Sequence, residues 1–278
     1  MSSEICSRLS RAQHFVLDLD GTVYTGSRLH DPALRFFAGL QSRGLSYSFL
    51  TNNTSRARQE YVSKLRGFGI DVEELQIANP VASVVQTLRG LNPDIHDLFV
   101  LGTPALHGEF EAAGFCVGLT AESEPDAVVV GFDTSLSYER LCRAGWWIDR
   151  GLPYLATHPD LVCPTDDPTI LLDCGSICAA LHAATGRSPD AVFGKPDPAM
   201  LTGIASKQSI GVSDLVVVGD RLMTDMAMAN RAGALAVLVL TGEASVEDVA
   251  ALGPEDEGRP DLVVADLDEL LQMISSAS

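Results

Sequence analysis

The sequence predicts an α/β protein with a doubly wound parallel sheet and a second, smaller α/β domain inserted into it. Short apolar runs rich in Val and Leu alternate with helix-like stretches along the chain, as in βαβ units. The runs are bounded by Gly or Asp, as expected for strands that helices cover on both faces. Polar breaks near residues 92–93 and 186–189 interrupt the alternation and indicate an insertion.

The elements of the Rossmann-like core lie at both ends of the chain. Its predicted strands are 15–17, 47–50, 191–193, 215–218, 235–240 and 262–264, and its predicted helices are 32–43, 56–68, 198–207 and 223–232. The inserted stretch has predicted strands 98–101, 127–130 and 154–156 and predicted helices 104–113, 138–149 and 175–184. We interpret it as a cap domain of residues 93–187, with core segments 1–92 and 188–278 on either side.

The composition fits a globular protein and argues against two classes of partner. A chain of 278 residues, 46% of them hydrophobic, can form one large or two smaller α/β domains. The formal net charge of -18 repels nucleic acid and anionic membranes. We find no secretory signal or apolar run long enough to cross a membrane, so the cytoplasm is the expected compartment. The cysteines lack zinc-motif spacing, which favours reduced thiols.

The most informative segment is strand 15–17 with the residues that follow it, Asp18 and Asp20. Carboxylates at positions i and i+2 of an extended chain point the same way, and two anions that close require a cation. Mg²⁺ prefers one or two carboxylates together with waters and phosphate oxygens. The segment therefore points to phosphate chemistry, with a strand that simply stops at an acidic turn as the alternative.

A second candidate segment follows strand 47–50. Here the chain runs into Thr51 and Asn52 ahead of a predicted helix. A hydroxyl and free backbone N–H groups at a helix N-terminus can bind an anion. Ordinary N-capping by residue 54 or 55 is the alternative.

Two further strand ends could complete the site. Lys195, after strand 191–193, could neutralise a phosphate, although most lysines are surface residues. Asp220, after strand 215–218, could be a metal ligand. Asp225 falls in the first turn of the next helix, where it could hold a metal-bound water or only cap the helix.

Taken together and in this order, four segments resemble the four motifs of the haloacid dehalogenase superfamily. They are Asp-Leu-Asp-Gly-Thr at 18–22, Thr-Asn-Asn at 51–53, Gly-Lys-Pro at 194–196 and Gly-Asp-Arg-Leu-Met-Thr-Asp at 219–225. The likeness extends to the NagD-like and p-nitrophenyl phosphatase-like phosphatases, whose large α/β (C2-type) cap is inserted between the second and third motifs. Residues 128–133 and 156–160 also resemble that branch, so the likeness covers nearly the whole chain.

The resemblance implies a role for each motif residue. Asp18 is expected to attack phosphorus and form an aspartyl-phosphate, with Mg²⁺ held by Asp18, the backbone carbonyl of Asp20, Asp220 and waters. Asp20 is expected to protonate the leaving group and then to deprotonate the hydrolytic water. In this superfamily a second Asp accompanies phosphatases and some phosphomutases, whereas dehalogenases lack it.

The remaining motif residues are expected to support the transfer. Thr51 and the backbone of Asn52 would bind the transferred phosphoryl group, and Lys195 would spread its developing charge. Asp225 would not bind the metal directly but would contact the groups that do.

The predicted cap contributes candidates for leaving-group contacts. The loop 157–167 is expected to look toward the phosphate site, which makes His158, Asp160, Cys163 and Thr165 candidates for contacts with the leaving group. A structural role is the alternative for each of them. His158 stands where relatives commonly have Asn, a departure that affects the substrate rather than the reaction.

These expectations describe a cytoplasmic, Mg²⁺-dependent phosphomonoesterase for a small metabolite such as a sugar, glycerol or glycolate, nucleotide or pyridoxal phosphate. Two alternatives remain: a non-catalytic phosphometabolite-binding protein on the same fold, and a phosphotransferase or mutase. The resemblance also implies a homodimer that pairs through the cap.

Overall fold

Two parallel sheets, each in its own unit of the chain, form the framework of the structure. The computed structural model describes residues 3–118, 123–163, 165 and 169–277. Unit 1 consists of Met1–Thr51, Val62–Ala78 and Lys195–Ser278, and unit 2 of Asn52–Tyr61 and Asn79–Gly194. The chain therefore passes between its units at residues 51–52, 61–62, 78–79 and 194–195.

The strands are β1 (His14–Leu17), β2 (Tyr24–Thr25), β3 (Arg28–Leu29), β4 (Ser46–Leu50), β5 (Ile77–Ala78), β6 (Asp97–Leu101), β7 (Cys116–Val117), β8 (Ala127–Val130), β9 (Tyr154–Ala156), β10 (Val162–Cys163), β11 (Leu171–Leu172), β12 (Ala191–Val192), β13 (Leu215–Gly219), β14 (Leu235–Val239) and β15 (Leu262–Val264). The α-helices are α1 (Ser3–Arg11), α2 (Ala33–Ser42), α3 (Arg58–Gly67), α4 (Val81–Leu91), α5 (Pro104–Ala112), α6 (Tyr138–Asp149), α7 (Cys174–Thr185), α8 (Ala199–Gln208), α9 (Ala227–Ala232), α10 (Val246–Ala251) and α11 (Leu267–Ala277). Short 3₁₀ turns at Glu74–Gln76 and Val212–Asp214 and a π-helical turn at Leu222–Met226 complete the description.

The sheet of unit 1 has six parallel strands in the order β15-β14-β13-β1-β4-β5. The strand β1 lies between β13 and β4, so the chain proceeds from it in both directions across the sheet. Such a switch point leaves a crevice at the carboxyl ends of the central strands, where ligands bind in open α/β sheets. The residues that follow β1, β4 and β13 are therefore the ones placed for function.

Each face of this sheet is covered by apolar side chains. On one face, Phe15, Phe36, Phe37 and Phe49 pack edge to face, with ring centroids 5.5 to 6.0 Å apart. A second cluster, which includes Val217, contains side chains of β13 and β14 together with those of α8 and α9. Because both faces are buried, the strands read as continuous apolar runs.

Unit 2 contains its own parallel sheet of five strands, in the order β12-β9-β8-β6-β7. Helices α4 and α5 contribute Val84 and Phe110 to one buried cluster, and α6 and α7 contribute Ile148 and Ile177 to another. The strands β10 and β11 form a separate antiparallel pair. The α/β class predicted from the sequence is therefore found in both units.

The units differ from the predicted domain boundaries at 92/93 and 187/188. The two compact units place residues 52–61, 79–92 and 188–194 in unit 2 instead of in the core segments. Helix α4 buries Val81, Val84 and Leu88 in the unit 2 cluster, which explains its assignment. The role of this unit as a cap stays a prediction.

The strand predicted at 191–193 is a correction to the sequence analysis, which placed it in the core sheet. The structure pairs Ala191 of β12 with Leu155 of β9 in the sheet of unit 2, and buries Phe193 in that unit's cluster. Lys195 therefore follows a strand of the second sheet. A strand of two residues carries too little apolar pattern to select its sheet.

Four helices of the structure, α1, α4, α10 and α11, have no counterpart among the predicted helices. Among the residues that the structure describes, no helix is both long and apolar enough to cross a membrane.

Candidate active site

Three carboxylates converge at the carboxyl ends of the central strands of unit 1. Leu17, the last residue of β1, is in register with Val218 of β13, and the Asp18 N–H donates to the Val218 carbonyl at 2.9 Å. This register brings Asp18 beside Asp220, which follows β13 directly. The π-helical turn Leu222–Met226 then returns Asp225 toward both.

The converging groups form a compact charged cluster. One carboxylate oxygen from each of Asp18, Asp220 and Asp225 lies within 4.8 Å of the others. Lys195 places its Nζ 2.5 Å from Asp18 Oδ1 and 2.7 Å from Asp225 Oδ1. All four side chains are at most 10% exposed, so their charges interact with little screening by water.

This environment shifts the protonation equilibria of the cluster. Burial, together with the charges of Asp18 and Asp225, raises the pKa of Asp220 to about 7. Burial likewise raises the pKa of Asp225 to about 6, against the opposing effect of Lys195. Burial alone would lower the pKa of Lys195, but Asp18 and Asp225 reverse this effect and raise it. Lys195 is thus a permanent cation, one positive charge among three acids.

Neighbouring loops fix the orientation of Asp220. Its Oδ2 accepts the backbone N–H of Glu243 at 2.8 Å, and Thr22 lies 3.5 Å from its Oδ1. Gly21 has a φ of +87°, and a Cβ at this position would overlap the Asp220 carboxylate. The chain after β1 can therefore approach Asp220 closely only because residue 21 is glycine.

The donor set suits a hard divalent cation. Three buried carboxylates with a single lysine leave an excess of negative charge that has to be neutralised. Oxygen ligands of this kind are those that Mg²⁺ and Ca²⁺ take in proteins. The carboxylates of Asp18, Asp220 and Asp225 thus mark the place in unit 1 where such an ion could bind.

Asp20 has a different environment from these acids. It lies in the turn that links β1 to β2, and its side chain is exposed. Burial and Arg28 lower the pKa of His30, whereas the charge of Asp20 raises it. Asp20 is therefore close enough to His30 for their charges to interact. The spacing of these residues in the sequence did not predict that they are neighbours.

Thr51 follows β4 in unit 1, whereas the predicted residues Asn52, His158, Asp160 and Cys163 come together in unit 2. Thr51 is buried and donates its backbone N–H to Ala78 at 3.1 Å. Asn52 Nδ2 donates to both oxygens of Asp160. Cys163 Sγ lies 3.7 Å from the Nδ2 of Asn53.

The loop that follows these residues is described in part. Thr165 is partly buried, whereas residues 164 and 166–168 of the predicted loop 157–167 lie outside the described residues.

The sequence analysis did not identify Asp173, whose Oδ1 lies 3.4 Å from His158 Nε2. Nor did it identify the backbone of Glu243 as a support for Asp220. Glu243 also pairs with Arg221 at 2.8 Å. An acid that directly precedes a predicted helix was the available signal for Asp173, which caps α7. The Glu243 contact depends on the return of β14 beside β13, which no local pattern shows.

Comparisons with known proteins identify the relatives of this chain. A family model described as haloacid dehalogenase-like hydrolase matches residues 15–116, and a HAD-hydrolase-like model matches residues 192–270. The D-glycerol 3-phosphate phosphatase of Mycobacterium tuberculosis is 34% identical over 92% of this chain and 70% of its own. The ribonucleotide monophosphatase NagD of Escherichia coli is 28% identical over 86% of this chain and 92% of its own.

Solved structures give the same result. A 4-nitrophenylphosphatase of Thermotoga maritima has a TM-score of 0.88 and 38% identity over 95% of this chain and 98% of its own. A glycerol phosphate phosphatase of Mycobacterium tuberculosis, 32% identical over 95% of this chain and 78% of its own, has a TM-score of 0.86 and was solved in complex with magnesium. A further structure of that phosphatase is in complex with calcium. The predicted α/β fold and family are confirmed, and the chain belongs to the haloacid dehalogenase-like hydrolases, in the branch of the NagD-like and p-nitrophenyl phosphatase-like enzymes.

Proposed function

We propose that this chain is a Mg²⁺-dependent phosphomonoesterase that acts through an aspartyl-phosphate on Asp18. The predicted phosphatase class is confirmed by the relatives, which are named phosphatases. The observation that carries the mechanism is the convergence of Asp18, Asp220 and Asp225 with Lys195. The choice of Mg²⁺ is supported by this all-oxygen donor set and by the magnesium complex of a relative.

Asp18 is the proposed nucleophile. Its carboxylate is held by Lys195 Nζ at 2.5 Å, which fixes the direction from which the oxygen would attack phosphorus. A cation held by Asp18, Asp220 and the backbone carbonyl of Asp20 would supply the positive charge that lets a phosphate dianion approach a carboxylate. Lys195 keeps its proton and offsets charge that develops on the phosphoryl oxygens.

Asp20 is the proposed acid and base. Its exposed side chain can exchange protons with solvent between the two halves of the reaction, unlike the buried acids around Lys195. Thr51 and the backbone of Asn52 are the proposed ligands of the phosphoryl group, and Asp225 is proposed to orient Lys195.

Replacing Asp20 by Asn is expected to slow the hydrolysis of an alkyl phosphate by about two to four orders of magnitude, because the leaving alkoxide then lacks a proton donor. The loss with p-nitrophenyl phosphate is expected to be smaller, since p-nitrophenolate departs readily without a proton. Steady-state kinetics with both substrates measure the difference. Equal losses would contradict the acid role, and near-normal turnover of the alkyl ester would contradict both the acid and the base role.

The substrate is proposed to be a small phosphorylated metabolite, in the group of sugar, glycerol or glycolate, nucleotide and pyridoxal phosphates. Relatives are named for glycerol 3-phosphate, ribonucleotide monophosphate, phosphoglycolate and sugar phosphates, which supports the class without selecting a member. A panel of these esters, assayed for free phosphate, would select among them. The roles of His158, Asp160, Cys163 and Thr165 in this selection stay predictions.

One assay separates the proposal from its alternatives. Purified protein with p-nitrophenyl phosphate and Mg²⁺ is expected to release p-nitrophenol and free phosphate in equal amounts. With a sugar or alcohol acceptor added, a phosphotransferase or mutase would instead release p-nitrophenol and yield a phosphorylated acceptor. A non-catalytic binding protein would yield neither p-nitrophenol nor free phosphate. The acid pair Asp18 and Asp20 supports the enzyme, since binding alone has no use for a proton donor beside a nucleophile.

We also propose a cytoplasmic homodimer that pairs through unit 2. Helix α6 of that unit exposes Tyr138 (83%) and Trp146 (57%), large side chains that such an interface would bury. Light scattering of the purified protein tests this assembly, and a monomeric mass would contradict it.

A further inference from the structure

Two of the positions at which the chain passes between its units contact the same loop of unit 2. Asn52, the residue after Thr51, donates its Nδ2 to both carboxylate oxygens of Asp160, at 3.3 and 3.2 Å. Gly194, the residue before Lys195, has a φ of +75°.

A Cβ at Gly194 would lie 2.6 Å from Asn52 Oδ1 and 2.9 Å from the Cβ of His158. The backbone at residue 194 therefore packs directly against Asn52, which Asp160 holds, and against His158. We call Asn52 and Gly194 the crossing residues.

Asp160 itself belongs to a largely buried cluster of one histidine and two acids. The imidazole of His158 is fully buried, with its Nδ1 3.6 Å from Asp160 Oδ2 and its Nε2 3.4 Å from Asp173 Oδ1. Each ring nitrogen therefore faces a different carboxylate, and the imidazole lies between the two acids. We call these three residues the His158 cluster.

The alternative to direct contacts among these side chains is a metal centre. One ligand atom from each member lies within 4.8 Å of the others, a spacing that could accommodate an ion. However, the two acids lie against different nitrogens of the ring, whereas a histidine normally binds one metal ion through one nitrogen. In addition, Asp160 already accepts from Asn52 and Asp173 from the Cys174 N–H at 2.6 Å. The geometry favours direct contacts of His158 with the two acids over a shared metal ion.

The cluster is anchored to the framework of unit 2 through Asp173. This residue is the N-cap of α7, and Ile177 and Leu181 of that helix are buried in the unit's apolar cluster. A continuous set of contacts thus leads from a packed helix through His158 and Asp160 to the crossing residues.

We propose that the His158 cluster positions the phosphate-binding residues Thr51 and Lys195, by fixing the residue next to each of them in the chain. His158 is a positioning residue in this proposal, because it acts through Asp160 and the crossing residues. The inference rests on the proposed function, in which Thr51 and the backbone of Asn52 bind the phosphoryl group and Lys195 offsets its developing charge.

The test compares three variants of the cluster with a matched control in the same unit. Asp160→Asn and Asp173→Asn each remove one carboxylate from the cluster, and Asn at position 173 still caps helices well. His158→Gln removes the imidazole that lies between the two acids. The control is Asp133→Asn, which breaks a buried ion pair to Arg140 (2.8 Å) outside the cluster. The readouts are kcat and KM for p-nitrophenyl phosphate, the Kd of inorganic phosphate with Mg²⁺ present, and Tm.

Each cluster variant is expected to raise the phosphate Kd about tenfold and to lower kcat/KM by about 10- to 100-fold, because small displacements of binding groups have effects of this size. The double variant His158→Gln/Asp160→Asn is expected to have the same kcat/KM and phosphate Kd as the more affected single variant. The two replacements interrupt the same set of contacts, so their effects do not add. Asp133→Asn is expected to lower Tm while leaving KM and the phosphate Kd unchanged.

Several results would overturn the inference. They are an unchanged phosphate Kd in the cluster variants, an equal change in Asp133→Asn, additive effects in the double variant, or stoichiometric Zn²⁺ binding that His158→Gln abolishes. If the wild-type protein binds phosphate without turning over p-nitrophenyl phosphate, the proposed function fails, yet the phosphate Kd still tests the positioning role. A wild-type protein that does not bind phosphate refutes both.

Discussion

Replacement of Asp18 by Asn is expected to reduce the hydrolysis of p-nitrophenyl phosphate by about four orders of magnitude or more, since an amide cannot attack phosphorus and the covalent route is lost. The effect is expected in kcat, because the proposed phosphate-binding residues Thr51 and Lys195 remain. Rapid acid quenching with labelled phosphate ester should trap a phosphorylated protein for the wild type and none for the variant.

The fold is expected to tolerate this replacement. Asn has nearly the same shape as Asp, and Lys195 retains its ion pair to Asp225 at 2.7 Å. Loss of the Asp18 charge also relieves the repulsion that raises the pKa of Asp220. Tm should therefore be preserved, which separates lost chemistry from lost structure.

Asp71→Asn is a suitable control for Asp18→Asn, because it neutralises an exposed carboxylate of the same unit. It should retain wild-type kinetics. Substantial turnover by Asp18→Asn would remove the nucleophile assignment and leave general-base hydrolysis as the mechanism to consider.

The convergence of Asp18 and Asp220 in unit 1 could be predicted from the sequence because each of them directly follows a strand. The parallel strands β1 and β13 are neighbours, so the residues that follow them must meet at one edge of the sheet. The apolar runs that end at Asp18 and Asp220 therefore predicted both the central strands of the sheet and the edge at which the candidate site lies. Asp225 was placed in a helical turn, although the observed turn is π-helical and directs its carboxylate to Lys195.

The parts that were not predicted depend on long-range packing. Helix α4 and strand β12 belong to unit 2 because Val84 and Phe193 are buried in the apolar cluster of that unit. A local sequence pattern cannot show which cluster buries a side chain. The pairing of His158 with Asp173 likewise requires that α7 begin beside the loop after β9. Sequence patterns identified chemically capable residues in unit 2 but not their partners.

In the metal-free protein, the contribution of Asp220 to stability is expected to fall as the pH rises. The folded-state pKa of this carboxyl is about 7, against 3.8 as its ordinary value. Between these values the folded protein retains a proton that the unfolded chain has released, so the free energy of unfolding decreases with increasing pH. A shift of this size corresponds to at most about 4 kcal/mol.

His14 has the opposite effect over part of this range. Burial lowers its pKa from 6.5 to about 4, so the unfolded chain binds the extra proton and stability rises with pH between these values. The pH dependence of the wild type alone is therefore a sum of opposing contributions. Subtracting the wild-type curve from that of Asp220→Asn removes the contribution of His14, which is common to both proteins.

Asp220→Asn is thus expected to be more stable than the wild type at about pH 8 in EDTA, by a few kcal/mol, and to approach it at about pH 4. The side-chain oxygen of Asn can still accept the N–H of Glu243, so little structure is lost. Mg²⁺ should reverse the order at about pH 8, because a bound cation neutralises the carboxylates of the wild type while the variant has lost a ligand. Chemical denaturation with and without Mg²⁺ measures both effects. Two results would contradict the claim that the cation relieves electrostatic repulsion among these carboxylates. They are a lower stability of Asp220→Asn than of the wild type in EDTA, and equal stabilisation of both proteins by Mg²⁺.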